Sequence, residues 1–354
     1  MNHHFYKVKV QNRISETPDA YTLIFDQHPA FPKNYLPGQF LTIKADIGGE
    51  NLRRAYSLSS SPACDDCMAV TIKKIPDGKM SNWLETHGLA GDELEIMPPT
   101  GNFVFQPHGS RKRWFMLYAA GSGITPIFSI LKSILCLEQQ SFVSLMYGNR
   151  TESDIIFKKE LDEWLVRYPS RLKVLHTLSQ PGENWFGETG RIGEELIMHT
   201  LESLKPVSPF EETHVFMCGP QAMMDTIGQI VHSQGVKKEN IHRESFFASP
   251  AEASAIPEGS LPLSERKVTI HLDGDVFEVT VSPKTTILEA ALDQDIDMPY
   301  SCQSGLCTAC RGKCTSGSVH MDEREGLSDD ELAEGYVLTC VGHPLTDNVV
   351  IEMG

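Results

Sequence analysis

The chain has 354 residues and a formal net charge of −16, and 40% hydrophobic with 22% charged residues is the composition of a globular protein. This length predicts two or three domains. The acidic balance argues against binding to nucleic-acid phosphates, which needs a basic face, and against docking on an anionic membrane.

The first block, residues 1–106, consists of short strand-like runs separated by Pro and Gly turns. Strands are predicted at Ala20–Asp26, Gln39–Ala45 and Met68–Lys74. Many short strands with little helix predict a small antiparallel β-barrel or sandwich.

The second block, residues 107–247, alternates strands with helices. Apolar strands are predicted at Trp114–Ala120, Phe142–Tyr147 and His214–Met217, with helical periodicity between them. This alternation predicts an α/β domain with a parallel sheet flanked by helices. Residues 248–263 are rich in Ala, Ser, Pro, Glu and Gly, which is typical of a linker.

The last block, residues 264–354, begins with two predicted strands, Lys267–Leu272 and Val276–Val281, and a helix near Ile287–Leu292. Ser328 and Glu331 fit a capping box for another short helix. This block holds 6 Lys and Arg against 17 Asp and Glu, a net charge of −11. The asymmetry indicates a separate acidic module, and a merely solvated acidic face is the alternative.

No apolar run approaches the roughly 20 residues that cross a bilayer. The N-terminal residues show no signal peptide. We therefore expect a cytoplasmic protein without membrane or nucleic-acid partners.

The chain has nine cysteines, and five of them lie in the last block, which suggests metal or redox chemistry rather than structural disulfides. Cys302, Cys307, Cys310 and Cys340 have the x4, x2, x29 spacing of plant-type [2Fe–2S] ligands. A zinc site and a coincidental spacing of cysteines are the alternatives, but zinc sites prefer two separated cysteine pairs. The small residues between the first three cysteines allow a tight loop.

Three cysteines outside this spacing receive structural interpretations. Cys64 and Cys67 enclose two aspartates, which disfavour a thiolate, so we predict an ordinary loop rather than a reactive pair. Cys314 is predicted to be a buried bystander in a strand.

The segment from Gly121 to Pro126 joins a predicted strand to a predicted helix. Glycines let the backbone approach a pyrophosphate, and the N-terminus of a helix attracts one. Pro126 suits the first turn of the helix. A bare strand–turn–helix connection is the alternative.

Several segments together resemble the ferredoxin–NADP reductase superfamily joined to a plant-type ferredoxin. They are Arg53–Leu58 for the R-x-Y-S flavin motif, Gly78–Leu84 for a flavin-phosphate segment, Gly121–Pro126 for G-x-G-x-x-P, Cys218–Pro220 for C-G-P, and Met298–Cys310 with Tyr336–Cys340 for the cluster loop and fourth ligand.

The resemblance implies three cofactors, FAD, NADPH or NADH, and a [2Fe–2S] cluster, and it implies their contacts. The flavin contacts would be Arg54, Ala55, Tyr56, Ser57, Lys73, Gly78, Lys79, Met80 and Ser81, with Phe246 as an aromatic cover. The nucleotide contacts would be Gly121, Gly123, Thr125, Pro126, Arg150, Cys218, Gly219 and Pro220. The cluster ligands would be Cys302, Cys307, Cys310 and Cys340, and the catalytic residues Ser57, Cys218 and Glu244.

Each implied role has a structural alternative. Arg54 could be a surface cation, Ser81 a helix cap, Cys218 a buried small hydrophobe and Glu244 a solvated charge. Arg150 follows the second nucleotide-binding strand, where an Arg accommodates the phosphate of NADPH and a carboxylate would favour NADH. We therefore lean to NADPH, with Arg150 as a plain surface residue being the alternative.

Nearly the whole chain resembles the reductase components of bacterial multicomponent oxygenases, and Tyr147–Arg150 with Glu334–Leu338 resembles the branch that acts in phenylacetate degradation. This implies a multidomain fold: an antiparallel β-barrel FAD domain, an α/β nucleotide domain and an α+β β-grasp ferredoxin domain. Electrons would pass from NAD(P)H through FAD and the cluster to an oxygenase component docked on the acidic ferredoxin module. Alternatives are a reductase for another hydroxylase, a desaturase or a hybrid-cluster protein, and, in another class, an electron-carrier or redox-sensing module.

Overall fold

The computed structural model describes residues 5–206, 212–246 and 264–353, apart from residues 284, 301, 302, 304, 306 and 325. The predicted linker, residues 248–263, and the predicted ligand Cys302 lie outside these residues. The chain divides into two compact units, one formed by His4–Leu52 with Tyr56–Phe246 and the other chiefly by the C-terminal region. The predicted domain boundaries stay predictions.

The first sheet has six strands in the order β4-β3-β6-β1-β2-β5. Its elements are β1 (Tyr6–Thr17), β2 (Ala20–Phe25), β3 (Phe40–Ile47), β4 (Glu50–Ser57), β5 (Ala69–Lys73), helix α1 (Lys79–His87) and β6 (Glu93–Thr100). Strand β1 pairs antiparallel with β2 and with β6. Strand β2 pairs antiparallel with β5, and strand β3 pairs antiparallel with β6. Leu58, the residue after β4, makes an antiparallel bridge with Val70 of β5, so the two edge strands meet and the sheet closes as predicted.

The barrel encloses an apolar core because its strands alternate inward and outward residues. Val8 and Val10 of β1, Leu41 and Ile43 of β3, and Ile96 of β6 are all buried in one cluster. Helix α1 contributes Met80 and Leu84 to the same core.

The second sheet has the order β10-β9-β8-β7-β11-β12, and its strands pair in parallel. Its elements are β7 (Arg113–Ala120), α2 (Ile124–Leu137), β8 (Phe142–Asn149), α3 (Lys158–Arg167), β9 (Leu172–Leu178), β10 (Glu188–Thr189), α4 (Glu194–Leu204), β11 (Glu212–Cys218), α5 (Gln221–Ser233) and β12 (Ile241–Glu244). Helices α2 and α3 share one core cluster with the sheet, and α4 and α5 share another. This is the predicted parallel sheet with helices on both faces.

The C-terminal region contains a five-stranded sheet in the order β14-β13-β19-β15-β17 and a two-stranded sheet, β16-β18. Its elements are β13 (Arg266–Leu272), β14 (Asp275–Val281), α6 (Ile287–Leu292), β15 (Arg311–Ser316), β16 (Val319–Met321), α7 (Asp329–Ala333), β17 (Tyr336–Leu338), β18 (Gly342–Pro344) and β19 (Val349–Met353). A β13–β14 hairpin with β19 parallel to β13 and α6 packed on the core is the predicted β-grasp arrangement.

The predicted capping box of α7 is present, since Ser328 Oγ accepts from the amide of Glu331 and the Glu331 carboxylate accepts from the amide of Ser328. Cys314 lies in β15 but is half-buried, so its description as a buried residue is wrong. Among the residues that the structure describes, no helix is long and apolar enough to cross a membrane.

Candidate active site and cluster-binding loop

Two predicted nucleotide loops meet at the carboxyl edge of the second sheet. Strand β7 lies between β8 and β11, so the chain turns to one side after β7 and returns on the other. The ends of β7 and β11 therefore define the point where the strand order reverses, which is where open α/β sheets bind their ligands. Gly121–Gly123 follows β7, and Cys218–Pro220 begins at the end of β11.

Gly123 and Cys218 are in direct contact across this point. A Cβ atom on Gly123 would lie 2.2 Å from the carbonyl oxygen of Cys218. Only glycine fits there, because real Cβ atoms do not approach backbone oxygen so closely. The two motifs, 95 positions apart in sequence, thus form one crevice.

The glycine turn is fixed by the neighbouring strand. The hydroxyl of Tyr147 in β8 donates to the carbonyl oxygen of Gly121 at 3.0 Å, and Tyr147 is fully buried. Helix α2 begins directly after Gly123, and no side chain in the described part of the chain caps its first amides. Uncapped amides behind a glycine turn fit the pyrophosphate of a dinucleotide. In the sequence, Tyr147 marked only the end of a predicted strand and the start of the segment Tyr147–Arg150 that carries a resemblance, and this hydrogen bond was not predicted.

Cys218 and Glu244 are paired residues of β11 and β12. Burial, with a smaller contribution from the Glu244 charge, raises the pKa of the Cys218 thiol. Burial also raises the pKa of Glu244 to about 8, and its Oε2 is shielded from solvent without a hydrogen-bond partner among the described residues. Glu244 is half-buried, and the shielding of its Oε2 argues against the alternative of a fully solvated charge. An orphaned carboxyl that holds its proton at neutral pH is a candidate proton donor or acceptor.

The flavin motif lies along β4. Ser57 is buried, Ala55 and Tyr56 are half-buried, and Tyr56 packs against the barrel core. Arg54 is exposed, and its Nη1 donates to the carbonyl oxygen of Arg53 at 2.7 Å. Ser57 is buried and Arg54, three positions earlier in the strand, is exposed. This fits a ligand whose ring lies inward and whose phosphate lies outward.

The second flavin segment surrounds the start of α1. Gly78 precedes the helix without a side-chain cap, and a Cβ atom there would lie 2.7 Å from Ser81 Oγ. Ser81 is not the helix cap, because it lies inside the first turn and its Oγ accepts from the amide of Ile75 at 3.2 Å. Uncapped amides beside a glycine that leaves little room for a Cβ atom fit a phosphate.

Two predicted contacts of this segment are otherwise engaged. The Lys79 ammonium pairs with the carboxylate of Glu50 at 2.6 Å, and both side chains are exposed. The side chain of Met80 is buried in the barrel core, so only its backbone is available to a ligand. Lys73 ends β5, a strand that contacts the Gly121–Gly123 turn. Lys73 and the glycine turn of the nucleotide site therefore belong to the same compact unit.

The remaining predicted nucleotide residues differ in exposure. Thr125 and Pro126 are buried in the first turn of α2, and Thr125 Oγ1 donates to the carbonyl oxygen of Ser122 at 3.0 Å. Gly219 is half-buried and Pro220 is exposed. Phe246, the predicted flavin cover, is 38% exposed at the end of the described segment.

Arg150 is exposed and close to two carboxylates. Its Nη2 lies 3.7 Å from Asp154 Oδ1 and 3.9 Å from Asp19 Oδ2 in the β1–β2 turn. Burial opposes ionisation of Asp154, but hydrogen bonds from Thr151 and the charge of Arg150 lower its pKa overall. The predicted phosphate contact thus has acidic neighbours on both sides.

The predicted cluster ligands Cys307, Cys310 and Cys340 are buried in the C-terminal region. The amide and hydroxyl of Thr339 both donate to the carbonyl oxygen of Cys310, at 3.2 and 3.1 Å. This ties the loop of the first ligands to the segment of the fourth. The described residues alone do not gather three potential metal ligands at one point, and Cys302 lies outside them.

The loop before Cys307 has a tight backbone. Gln303 and Gly305 have φ angles of 55° and 74°, and a Cβ atom on Gly305 would lie 2.8 Å from Glu323 Cβ. The amide of Gly326 donates to the carbonyl oxygen of Gly305 at 2.9 Å. A close-wrapped loop with buried cysteines on both sides of a shared hydrogen bond fits an iron–sulfur cluster.

One cysteine pairing was not predicted. Cys64 is bonded to Cys136 of α2, 72 positions away, rather than lying in an unpartnered loop, while Cys67 is half-buried and unbonded. The C-x-x-C spacing carried no signal for this pairing, because its second member lies in another block of the sequence.

Comparison with known protein families agrees with this geometry. Residues 6–105 match the family described as oxidoreductase FAD-binding domain, residues 117–229 match the oxidoreductase NAD-binding domain, and residues 270–345 match the 2Fe-2S iron-sulfur cluster binding domain. The three together define an electron-transfer oxidoreductase that uses FAD, a nicotinamide nucleotide and a [2Fe–2S] cluster.

Two curated relatives align with this chain along nearly its whole length. The chain is 36% identical over 351 residues to a subunit of 1,2-phenylacetyl-CoA epoxidase from Escherichia coli (strain K12), covering 98% of this chain and 97% of the relative. It is 36% identical over 355 residues to the ferredoxin reductase component of 3-ketosteroid-9-alpha-monooxygenase from Rhodococcus rhodochrous, covering 96% and 94%. The solved structure of phthalate dioxygenase reductase superposes with a TM-score of 0.59 at 26% identity, covering 99% and 98%.

The chain therefore belongs to the ferredoxin–NADP reductase superfamily, in the group whose members end in a plant-type [2Fe–2S] ferredoxin domain.

Proposed function

We propose that this oxidoreductase passes electrons from NAD(P)H to the oxygenase component of a phenylacetyl-CoA epoxidase-type system in phenylacetate degradation. The observation that carries the electron-transfer part of the proposal is the contact of Gly123 with Cys218 beside the carboxyl of Glu244, in a chain that also has a cluster-binding domain. When bound, the flavin supplies the conversion of a two-electron hydride into single electrons that the cluster accepts.

The residues of the crevice would position the nucleotide and hold a proton. The turn Gly121–Gly123 and the first amides of α2 would bind the pyrophosphate of the nucleotide, and the close packing on Cys218 would set the depth of its entry. Glu244 would hold a proton at its buried carboxyl, and the Ser57 hydroxyl would orient the reacting ring. Cys218 is too buried and too weakly acidic to act as a thiolate nucleophile, so we assign it a packing role against the ring.

The acceptor assignment rests on similarity along the full chain. The relative that serves 1,2-phenylacetyl-CoA epoxidase and the relative that serves 3-ketosteroid-9-alpha-monooxygenase are equally identical to this chain, at 36%. A different oxygenase is therefore the second candidate. The acidic C-terminal module, with its net charge of −11, supports an acceptor with a basic docking face.

The nucleotide assignment depends on Arg150. Its guanidinium supports NADPH, as the sequence suggested, whereas Asp19 and Asp154 beside it would repel a further phosphate. We keep NADPH as the proposed donor. The ratio of kcat/KM for NADPH and NADH in the wild type and in Arg150→Ala tests this, since a true phosphate contact would lose NADPH efficiency selectively. A cytoplasmic location and the absence of nucleic-acid and membrane partners remain predictions.

Reconstitution tests the function. The holoenzyme, NADPH or NADH, dioxygen and the oxygenase subunits of phenylacetyl-CoA epoxidase should together convert phenylacetyl-CoA to its epoxide and water, and omission of the reductase should abolish turnover. Rapid dye reduction without epoxidation would contradict the phenylacetate assignment but would still support NAD(P)H-dependent reductase activity. Absence of NAD(P)H-dependent dye reduction would favour the electron-carrier or redox-sensing alternative.

A further inference from the structure

One face of helix α2 is attached to the loop that follows the flavin strand β4. The contacts recur at helical spacing, so they form a continuous seam. They join Ser129 to the carbonyl oxygen of Ser60, Ser133 to Ser61, Lys132 to Asp65, and Cys136 to Cys64. The first three are polar and reversible, and the last is covalent.

The seam connects both halves of the candidate active site. The loop begins two residues after Ser57 of the flavin motif, and α2 begins directly after Gly123 of the nucleotide turn. The Cys64–Cys136 bond lies at the C-terminal end of the helix, with a Cα–Cα distance of 6.8 Å. A covalent bond here therefore restrains the flavin-binding barrel and the nucleotide-binding sheet relative to each other without entering the crevice.

We propose that Cys64 and Cys136 form a reversible oxidation site, a dithiol that a hydroperoxide such as hydrogen peroxide converts into a latch between the two sheets. The Cys64 sulfur attacks one oxygen of the peroxide, the O–O bond breaks, and Cys64 becomes a sulfenic acid. The departing hydroxide takes up the thiol proton and becomes water. The Cys136 thiol then displaces water from that sulfur and forms the disulfide. In sum two thiols lose two electrons and two protons, and one peroxide becomes two waters. A dithiol reductant reverses the change by exchange.

The surroundings of the pair fit both redox states. Cys64 is exposed, so peroxide and reductants reach it. Cys136 is half-buried and close enough to bond to it. In the reduced state the Cys64 thiol has an acceptor, because its Sγ lies 3.5 Å from the carbonyl oxygen of Lys132. The Lys132 ammonium pairs with Asp65 and so offsets the nearest of the acidic neighbours of Cys64. The seam therefore persists without the bond.

The expected consequence is tighter retention of the flavin under oxidising conditions. A disulfide stabilises a folded protein chiefly by restricting the unfolded chain, and the loop closed here spans 72 positions. Because barrel and nucleotide sheet share a core cluster, restraining their separation should delay loss of bound FAD on heating. This proposal uses only the binding of FAD and is independent of the acceptor.

Peptide mapping of the full-length holoenzyme tests the chemistry. The protein is reduced, freed of reductant, treated with hydrogen peroxide, alkylated and digested. We expect a peptide pair linked through Cys64 and Cys136 that disappears on reduction and is absent from Cys64→Ser and Cys136→Ser. The matched control, Cys67→Ser, should form the link as the wild type does. No linked pair, or a link that requires Cys67, would overturn the proposal.

The temperature at which flavin fluorescence appears tests the consequence. We expect the oxidised wild type and Cys67→Ser to release FAD roughly 5 °C or more above their reduced forms. Cys64→Ser and Cys136→Ser should show no such difference after the same peroxide treatment, which also accounts for peroxide damage elsewhere. Equal release temperatures for oxidised and reduced wild type would refute the latch even if the bond forms.

Discussion

Gly123 and Cys218 pack so closely that a Cβ atom on the glycine would lie 2.2 Å from the carbonyl oxygen of the cysteine. This single contact turns two separate loops into one crevice at the reversal point of the parallel sheet. Its geometry therefore controls where a nucleotide can sit relative to the flavin motif.

Substituting Gly123→Ala should force the two loops apart. Because a displacement of about 1 Å at a hydride-transfer site can cost on the order of 100-fold, we expect flavin reduction by NAD(P)H to slow by about that factor. Rapid-mixing measurement of flavin bleaching provides the rate. Gly182→Ala is the control, since nothing lies within 4 Å of a Cβ atom there. A Gly123→Ala variant with wild-type hydride transfer would show that the contact does not position the nucleotide.

Glu244→Gln should stabilise the fold at high pH and at the same time slow electron transfer. The folded-state pKa of about 8 is above the ordinary value of 4.5, so the folded protein loses stability as pH rises from about 4.5 to 8 and the buried carboxyl ionises. Glutamine cannot ionise, so the variant should gain at least about 1 kcal/mol over wild type at pH 8 and little at pH 5. Thermal unfolding at the two pH values measures this.

The same variant should lose activity, because glutamine cannot hold or release the proton. We expect electron transfer to slow by about 10- to 100-fold. Unchanged rates between pH 6 and 9 would remove Glu244 from the proton-handling role and leave it as a structural residue.

His242 should make the fold sensitive to acid. It stacks on Phe216 with ring centroids 4.4 Å apart, and burial, followed by the charge of His214, lowers its pKa to about 4. A histidine with a depressed folded-state pKa contributes stability above about pH 6.5 that is lost as pH falls toward 4.

His242→Gln should therefore reduce the loss of stability between pH 7 and 5 by about 1 kcal/mol, even if the lost stacking makes it less stable overall. Denaturant unfolding at both pH values provides the slope. His199→Gln, at an exposed position of α4, is the matched control and should leave the slope unchanged. Identical slopes in wild type and His242→Gln would contradict the assignment.

Glu138 anchors the start of β7 to the end of α2. Its buried carboxylate pairs with Arg113 and accepts hydrogen bonds from the His108 amide and the Ser141 hydroxyl, both at 2.7 Å. Glu138→Ala would leave the Arg113 charge buried without this partner, which should cost about 3–5 kcal/mol. In contrast, Glu163→Ala removes an exposed pair with Lys159 at 3.9 Å and should cost no more than about 0.5 kcal/mol. Chemical denaturation measures both, and equal losses would be inconsistent with a buried ion pair.

Local patterns predicted the elements because each depends on neighbouring residues. The helix predicted near Ile287–Leu292 has those bounds in the structure, and strand β2 ends one residue before its predicted end. Alternation of strands and helices also predicted the parallel sheet. The glycine turn before α2 was recognisable because its chemistry lies in six consecutive residues.

Long-range pairings could not be predicted in this way. The bridge between Leu58 and Val70 that closes the barrel, and the bond between Cys64 and Cys136, depend on how separate elements pack. The carboxylate of Asp19 beside Arg150 comes from the first sheet, so inspection of the strand tip alone could not reveal it. Burial of the Met80 side chain likewise depends on the packing of α1 against the barrel.

We expect electrons to pass from the nucleotide to the flavin and only then to the cluster. Anaerobic rapid mixing with NAD(P)H, followed at flavin and cluster wavelengths, compares the wild type with Cys340→Ser. This order of transfer predicts flavin bleaching at similar rates in both proteins, and cluster bleaching, after the flavin, in the wild type alone. Cluster reduction before flavin reduction, or loss of flavin reduction in Cys340→Ser with its FAD still bound, would contradict it.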